Sequence, residues 1–264
     1  MKHHHHHNFK TMTKMNTKHL LILGFALLLT NCMSSKKIVY FQESDAITLE
    51  DSLVNFQPQI QLGDLLTIHV SANDPLTAET FNLYEAPSMT GNPRLLPYLV
   101  DGDGQINFPV LGKLKVTGFT TQQIGDHITQ ALSTYLVAPI VNVRLTNFKI
   151  TVMGEVKTPG TYTVPNERIT LIEALGLAGD LTIQARRNTV LLIRENNGTR
   201  NFVTVDLTNK ALFNSPYYYL VQNDVLYVEP NKTKINSSAV GASTSVLLSS
   251  LGVLISLITL FSLK

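Results

Sequence analysis

The chain has 264 residues, with 21 Lys plus Arg against 19 Asp plus Glu, and a single cysteine. That is room for two small domains and a tail; one cysteine excludes an intrachain disulfide, and the absence of a long basic run argues against nucleic acid as a partner. The basic excess belongs to residues 1–31, which hold Lys2, Lys10, Lys14 and Lys18 and no acid; removing those four from 21 leaves 17 basic residues against 19 acids, a balance of −2.

The stretch "KMNTKHLLILGFALLLTNC" has a basic start, an apolar run from Leu20 to Leu29, then Cys32. Its length and flanks predict a secretory signal peptide, with an apolar run too short to span a bilayer. His3 to His7 form a tag-like or metal-binding tract ahead of the expected cleavage site. They belong with the signal in residues 1–31, and Met12 and Met15 are alternative starts. A lone cysteine directly after a signal core resembles the lipobox of bacterial lipoproteins, here "LTNC", with Asn31 where a small residue is usual. The resemblance implies a covalent lipid on Cys32; the other reading is an unmodified thiol. Residues 32–56 then form a polar, tether-like lead-in.

From Gln59 the pattern tightens. "QIQLGDLLTIHV" alternates and predicts a strand with Leu66, Ile68 and Val70 on one face. Residues 73–97, rich in Asn, Pro and Thr, read as a long surface loop. Asp101-Gly102 and Asp103-Gly104 are hairpin-turn chemistry, since glycine takes positive φ without a steric penalty. Ile106, Phe108 and Val110 alternate behind the turn, and Pro109 argues for an edge strand. Thr120 with Gln123 makes a capping box for a helix whose apolar face is Ile124, Ile128, Ala131, Leu132, Tyr135 and Leu136. "PIVNVRLT" predicts a strand with Val141, Val143 and Leu145 inward.

A second unit begins near Phe148. "ITVMGEVKTPGTYTV" reads as two strands around a turn, with Pro159-Gly160 suited to the centre of a type II turn. Thr170 with Glu173 caps a short helix that Gly179 can end. "NTVLLIRENNGTRNFVTVDL" predicts a hairpin with Asn197-Gly198 at its tip, and "NDVLYVEP" a last strand. Both units are mixed α and β, an α+β class with antiparallel hairpins and one helix each.

As a set these stretches resemble a known family. "IQLGDLLTIHV", "VDGDGQINFPVLGKLKVTGFT" and the helix ending in "YLVAPIVNV" are similar to the polysaccharide export domain of Wza-type outer-membrane proteins. "VMGEVKTPGTY", "TLIEALGLAGD" and "NDVLYVEP" are similar to the soluble-ligand-binding β-grasp (SLBB) domain that follows it. The resemblance implies a polysaccharide export domain over 57–147, one β-grasp domain over 148–231, where enterobacterial members carry more, and a transmembrane amphipathic helix over 237–263. It implies a lipid-anchored outer-membrane lipoprotein with its main domains in the periplasm. Such a chain forms a homo-oligomeric ring that exports capsular polysaccharide or exopolysaccharide. Its implied partners are the polysaccharide itself and an inner-membrane polysaccharide co-polymerase. The competing reading is a periplasmic adaptor lipoprotein that binds a saccharide or a protein and uses the last helix as a plain anchor.

The tail "SVLLSSLGVLISLITLFSLK" carries Ser245, Ser249, Gly252, Ser256 and Thr259 at alternating steps of four and three, one face of a helix. Three readings stand: a single anchor whose serines bond back to their own helix, a dry bundle packed on small residues, and a ring with a wetted inner face. Hydroxyls without fixed charge would let a sugar chain slide where charged rings would retain or repel it.

No catalytic residues emerge. "DGDGQINFPVLG" starts like a calcium loop, but Gly112 stands where the bidentate Glu belongs, so a turn is expected and no metal site. His69 and His127 are isolated, and no H-E-x-x-H, Walker A or G-x-S-x-G pattern occurs. No cofactor is expected beyond the lipid. Tyr217, Tyr218 and Tyr219 are candidate saccharide contacts; the alternative is one or two in the core and one at a subunit contact. Arg186 and Arg187 read as a solvated corner or an interface.

Overall fold

The structure, a computed structural model, describes residues 38–42, 56–85, 93–196, 198–239 and 242–262. Cys32, His3 to His7 and the signal peptide expected over 1–31 lie outside the described residues. The described residues belong to one compact unit running from Lys37 to Lys264.

Strand β1 (Leu65–Ser71) forms where the alternation predicts it, with Leu66, Ile68 and Val70 buried and His69 exposed. It is the centre of a three-stranded antiparallel sheet, between β2 (Tyr98–Leu99) and β5 (Ile140–Leu145). Residues 73–97 are not all loop. Helix α1 (Pro75–Glu79) starts there because Asp74 caps Leu76 and Pro75 takes the first helical position, where its missing N–H is no loss. Just after it, buried Asn82 accepts from the Val70 N–H (2.8 Å) and donates to the Val70 carbonyl (2.9 Å). One side chain thus does at Val70 what β2 does at Leu65 and Leu66.

The turn at Asp101 forms as expected, with the Asp101 carboxylate accepting from the backbone of Asp103 (3.0 Å) and Gln105 (2.8 Å). Strand β3 (Gln105–Phe108) pairs with β4 (Gly112–Lys115). The expected inward Val110 is instead 61% exposed with φ 68°, because the strand ends before Pro109 and Val110 lies in the β3–β4 turn. Helix α2 (Thr121–Leu132) has its capping box in place and buries Ile124, Ile128 and Leu132. Tyr135 lies beyond its end and is exposed, its ring 6.1 Å from that of Phe81.

The second half is a five-stranded mixed sheet. Its strands are β6 (Lys149–Gly154), β7 (Gly160–Thr163), β9 (Ala185–Asn196), β10 (Thr199–Val205) and β12 (Val225–Pro230), in the order β10-β9-β12-β6-β7. Only β12 and β6 run parallel. Gly154 sits on that pairing with φ 93°, and a Cβ there would stand 2.1 Å from the Val228 carbonyl oxygen. Gly160 has no positive φ, so the expected type II geometry is absent and it simply opens β7. The short β8 (Ile169–Thr170) leads into α3 (Leu171–Leu177), which has its Thr170–Glu173 capping box and buries Leu171, Ala174 and Leu175. Strand β11 (Tyr219–Leu220) pairs with β8. One hydrophobic core runs unbroken from Ile60 to Val228 through both halves.

Two helices follow β12. Asn231 caps α4 (Lys232–Ala239), and Lys234 faces Glu155 at 3.6 Å, rooting it on the sheet. Helix α5 (Ala242–Ser262) has 21 residues, roughly 30 Å at 1.5 Å per residue. Of the helix expected over 237–263, the residues up to Ala239 belong to polar α4 and those from Ala242 to α5. Among the described residues no helix is long and apolar enough to cross a membrane.

Candidate functional site

Two of the three candidate tyrosines, Tyr218 and Tyr219, sit in a ladder of rings along the second half. Tyr40, Phe41, Phe213, Tyr218, Tyr219 and Phe56 are each 4.9–5.7 Å from the next, and Phe56 lies flat on Tyr219 at an interplanar angle of 3°. The Arg168 guanidinium stands 5.1 Å from the centre of Tyr219, and Arg194 5.4 Å from that of Tyr217. Tyr217 and Tyr218 pack against the core. All three rings are thus engaged within the chain. The ladder also pins the lead-in. The backbone of Phe41 and Gln42 donates to the carbonyls of Leu207 (3.2 Å) and Thr208 (2.7 Å). Tyr40 donates to Asp180 at 2.6 Å and covers Arg187 at 5.2 Å. Burial and that hydrogen bond push the Tyr40 phenol up. Arg187 is no solvated corner, being only 5% exposed, whereas Arg186 pairs with Glu229 at the surface.

The two halves meet at a polar seam. Asn147 accepts from the Leu65 N–H (2.9 Å) and donates to the Gly63 carbonyl (3.2 Å). Gln222 donates to the Asn147 carbonyl and accepts from the Lys149 N–H, both at 2.8 Å. Asp64, fully buried, accepts from the Gln61 N–H at 2.8 Å through Oδ2, while Oδ1 has no partner. Burial pushes its carboxyl up to about 6, against the pull of the Gln61 N–H and of the nearby Gln222 side chain. Asp224, also fully buried, is held by both Arg194 Nε (3.0 Å) and Arg194 NH2 (2.7 Å) and caps the Val221 N–H (2.9 Å). Burial raises its carboxyl above the ordinary range, opposed by Arg194. A groove of about 900 Å³ opens along this seam, walled by Gln57, Gln59, Gln61 and Leu62 of the first half and by Arg194, Glu195, Arg200 and Val221 to Asn223 of the second.

These seam residues escape sequence reading, with one exception. Arg194 continues the inward face Val190, Leu192 of β9, and a charge on a buried face announces a buried partner. Asp64, Asn147 and Gln222 carry no such signal. His127, like His69, is exposed, and among the described residues no cluster of His, Cys, Asp and Glu could hold a metal.

Along α5, Ser249, Gly252 and Ser256 share a face; the side chains of Ser245 and Thr259 lie outside the described residues. Ser256 donates to the Gly252 carbonyl at 2.9 Å and Ser250 to that of Leu247 at 2.8 Å. A Cβ at Gly252 would meet nothing within 4 Å. Val246, Leu247, Leu251, Val253, Leu254 and Leu257 are exposed.

Residues 54–146 match the family described as polysaccharide biosynthesis/export protein, and residues 149–201 match the SLBB domain. The EPS I polysaccharide export outer membrane protein EpsA of Ralstonia solanacearum is 32% identical over 186 residues, 66% of this chain and 48% of that protein. The protein of the same name from Ralstonia nicotianae is 34% identical over 131 residues, 47% of this chain and 34% of that protein. The chain thus spans about half the length of the first relative and about a third of the second.

Proposed function

We propose that this chain, which belongs to the family of Wza-type polysaccharide export proteins, is a non-enzymatic subunit that passes polysaccharide out of the periplasm across the outer membrane. In this reading several copies form a ring. A lipid on Cys32 holds each copy to the outer membrane, and an inner-membrane co-polymerase delivers the chain. The observation that supports it is α5, whose apolar side chains Val246, Leu247, Leu251, Val253, Leu254 and Leu257 stand exposed around a face of Ser249, Gly252 and Ser256. Exposed apolar area of this extent calls for lipid or another copy. A ring of α5 helices gives the apolar sides to lipid and neighbours, and turns the hydroxyls toward a wetted path.

A second reading is favoured by the hydrogen bonds of Ser250 and Ser256 back to their own helix, which need no neighbour. There the chain is a periplasmic adaptor and α5 a plain anchor. The two separate on the native mass of the full chain in mild detergent, beside a chain ending at Asn236. A closed ring that weakens on truncation supports the export subunit; a full-length monomer refutes it. Replacing Ser249 and Ser256 by Leu should abolish surface polysaccharide, and unchanged export would show that no wetted serine face is used.

A further inference from the structure

We propose that the seam groove is a binding site for a neutral, hydroxyl-rich saccharide segment, read by side-chain amides. "FQPQIQL" places Gln57, Gln59 and Gln61 on alternate positions of an extended stretch, about 6.7 Å apart along the chain. Its backbone is fixed: Ile60 donates to the Phe119 carbonyl (2.9 Å) and accepts from the Gly118 N–H (3.0 Å). All three glutamines line the groove, and Asn223 faces them from the other half. Asn223 is held at φ 64° with its N–H on the Lys149 carbonyl (2.9 Å).

These amides are unspent. Among the described residues the side chains of Gln59, Gln61 and Asn223 make no hydrogen bond, and that of Gln57 makes one long contact, 3.4 Å to Gln122. A primary amide offers donor and acceptor side by side without charge, which matches paired hydroxyls of a sugar. The charged side chains of the lining are paired. Arg194 is taken by Asp224 and by the Tyr219 carbonyl (2.9 Å), and Arg200 pairs with Glu195. A polyanion therefore finds no unpaired cation among the described lining residues. Phe56, stacked on Tyr219, is also part of the lining. The volume of about 900 Å³ lies within the range of about 300–1,000 Å³ usual for small-ligand sites. The ligand class rests on the export reading; the array of open amides does not.

The test uses the full chain in detergent, titrated by calorimetry with maltoheptaose and cellohexaose as neutral probes and with oligogalacturonate as an acidic one. Neutral probes should bind with an affinity indifferent to salt. Gln59→Leu with Gln61→Leu should weaken that binding by at least about tenfold, and Asn223→Gly, which keeps the backbone conformation available, should weaken it from the opposite wall. No binding of either neutral probe, binding of oligogalacturonate alone, or binding unchanged in these variants overturns the proposal. So does a shift in native mass in the variants with no loss of saccharide, which would make the groove the seat of a second copy. Surface polysaccharide in cells is read separately. Export that survives with the groove variants but fails with the chain ending at Asn236 sinks the groove and leaves the export reading standing; export indifferent to both sinks that reading.

Discussion

Replacing Asp64 by Asn should remove a pH dependence of stability that the native chain carries. Its buried carboxyl is raised to about 6 from the ordinary 3.8 by loss of water around it. Between those values the folded chain keeps a proton that the unfolded chain gives up. Folded stability therefore falls as pH rises from about 4 to about 6 and is level above. At 1.36 kcal/mol per pH unit the interval from 3.8 to about 6 is worth about 3 kcal/mol. Asn keeps an acceptor for the Gln61 N–H and places an amide where Oδ1 has no partner, at a cost that does not vary with pH. Urea midpoints measured from about pH 4 to pH 8 should thus show the Asp64→Asn chain gaining on the native one by about 3 kcal/mol across the interval, with no further gain above it. Parallel profiles would refute the reasoning, since they would mean that Asp64 reaches water in the folded state.

Arg194→Ala leaves Asp224 buried without its cation and should cost about 3–5 kcal/mol in urea unfolding; a loss below about 1 kcal/mol would mean that Asp224 stays protonated. Gly154→Ala drives a Cβ to 2.1 Å from the Val228 carbonyl at φ 93°. It should cost more than about 2 kcal/mol and lower Tm by about 4 °C or more. Gly198→Ala, at φ 76° with open space around it, should cost only about 1 kcal/mol, so an equal loss at both would refute the close-approach argument.

Elements whose cause lies within a few residues were legible in the sequence. The capping boxes at Thr120 and Thr170 stand where Gln123 and Glu173 place them. Gly179 takes a left-handed conformation past α3, and Gly198 does so at the tip of the β9–β10 hairpin. The alternation of Leu66, Ile68 and Val70 fixed the inner face of β1. Val110 and Gly160 depart from the local pattern for one shared reason. Alternation and a Pro-Gly pair do not say where a strand ends, and Pro109 ended one while Gly160 began another. Residues 73–97 read as loop from their composition, although Asp74-Pro75 within them starts a helix.

The sequence by itself determined the α+β class, the capping boxes at Thr120 and Thr170, the turns at Asp101 and Gly198, the chain order of the two matched regions and an apolar, serine-striped tail, because each follows from side chains at fixed short spacing. Only the tertiary structure decided which polar groups are buried and what they meet. Arg194 reaches Asp224 across 30 residues, Asn147 reaches Leu65 across 82, and Gln59 and Gln61 come to face Asn223 across the seam. Nothing in the local pattern encodes such pairings, since burial of an Asp or exposure of a Gln is set by how the sheets stack, and that depends on the whole core at once.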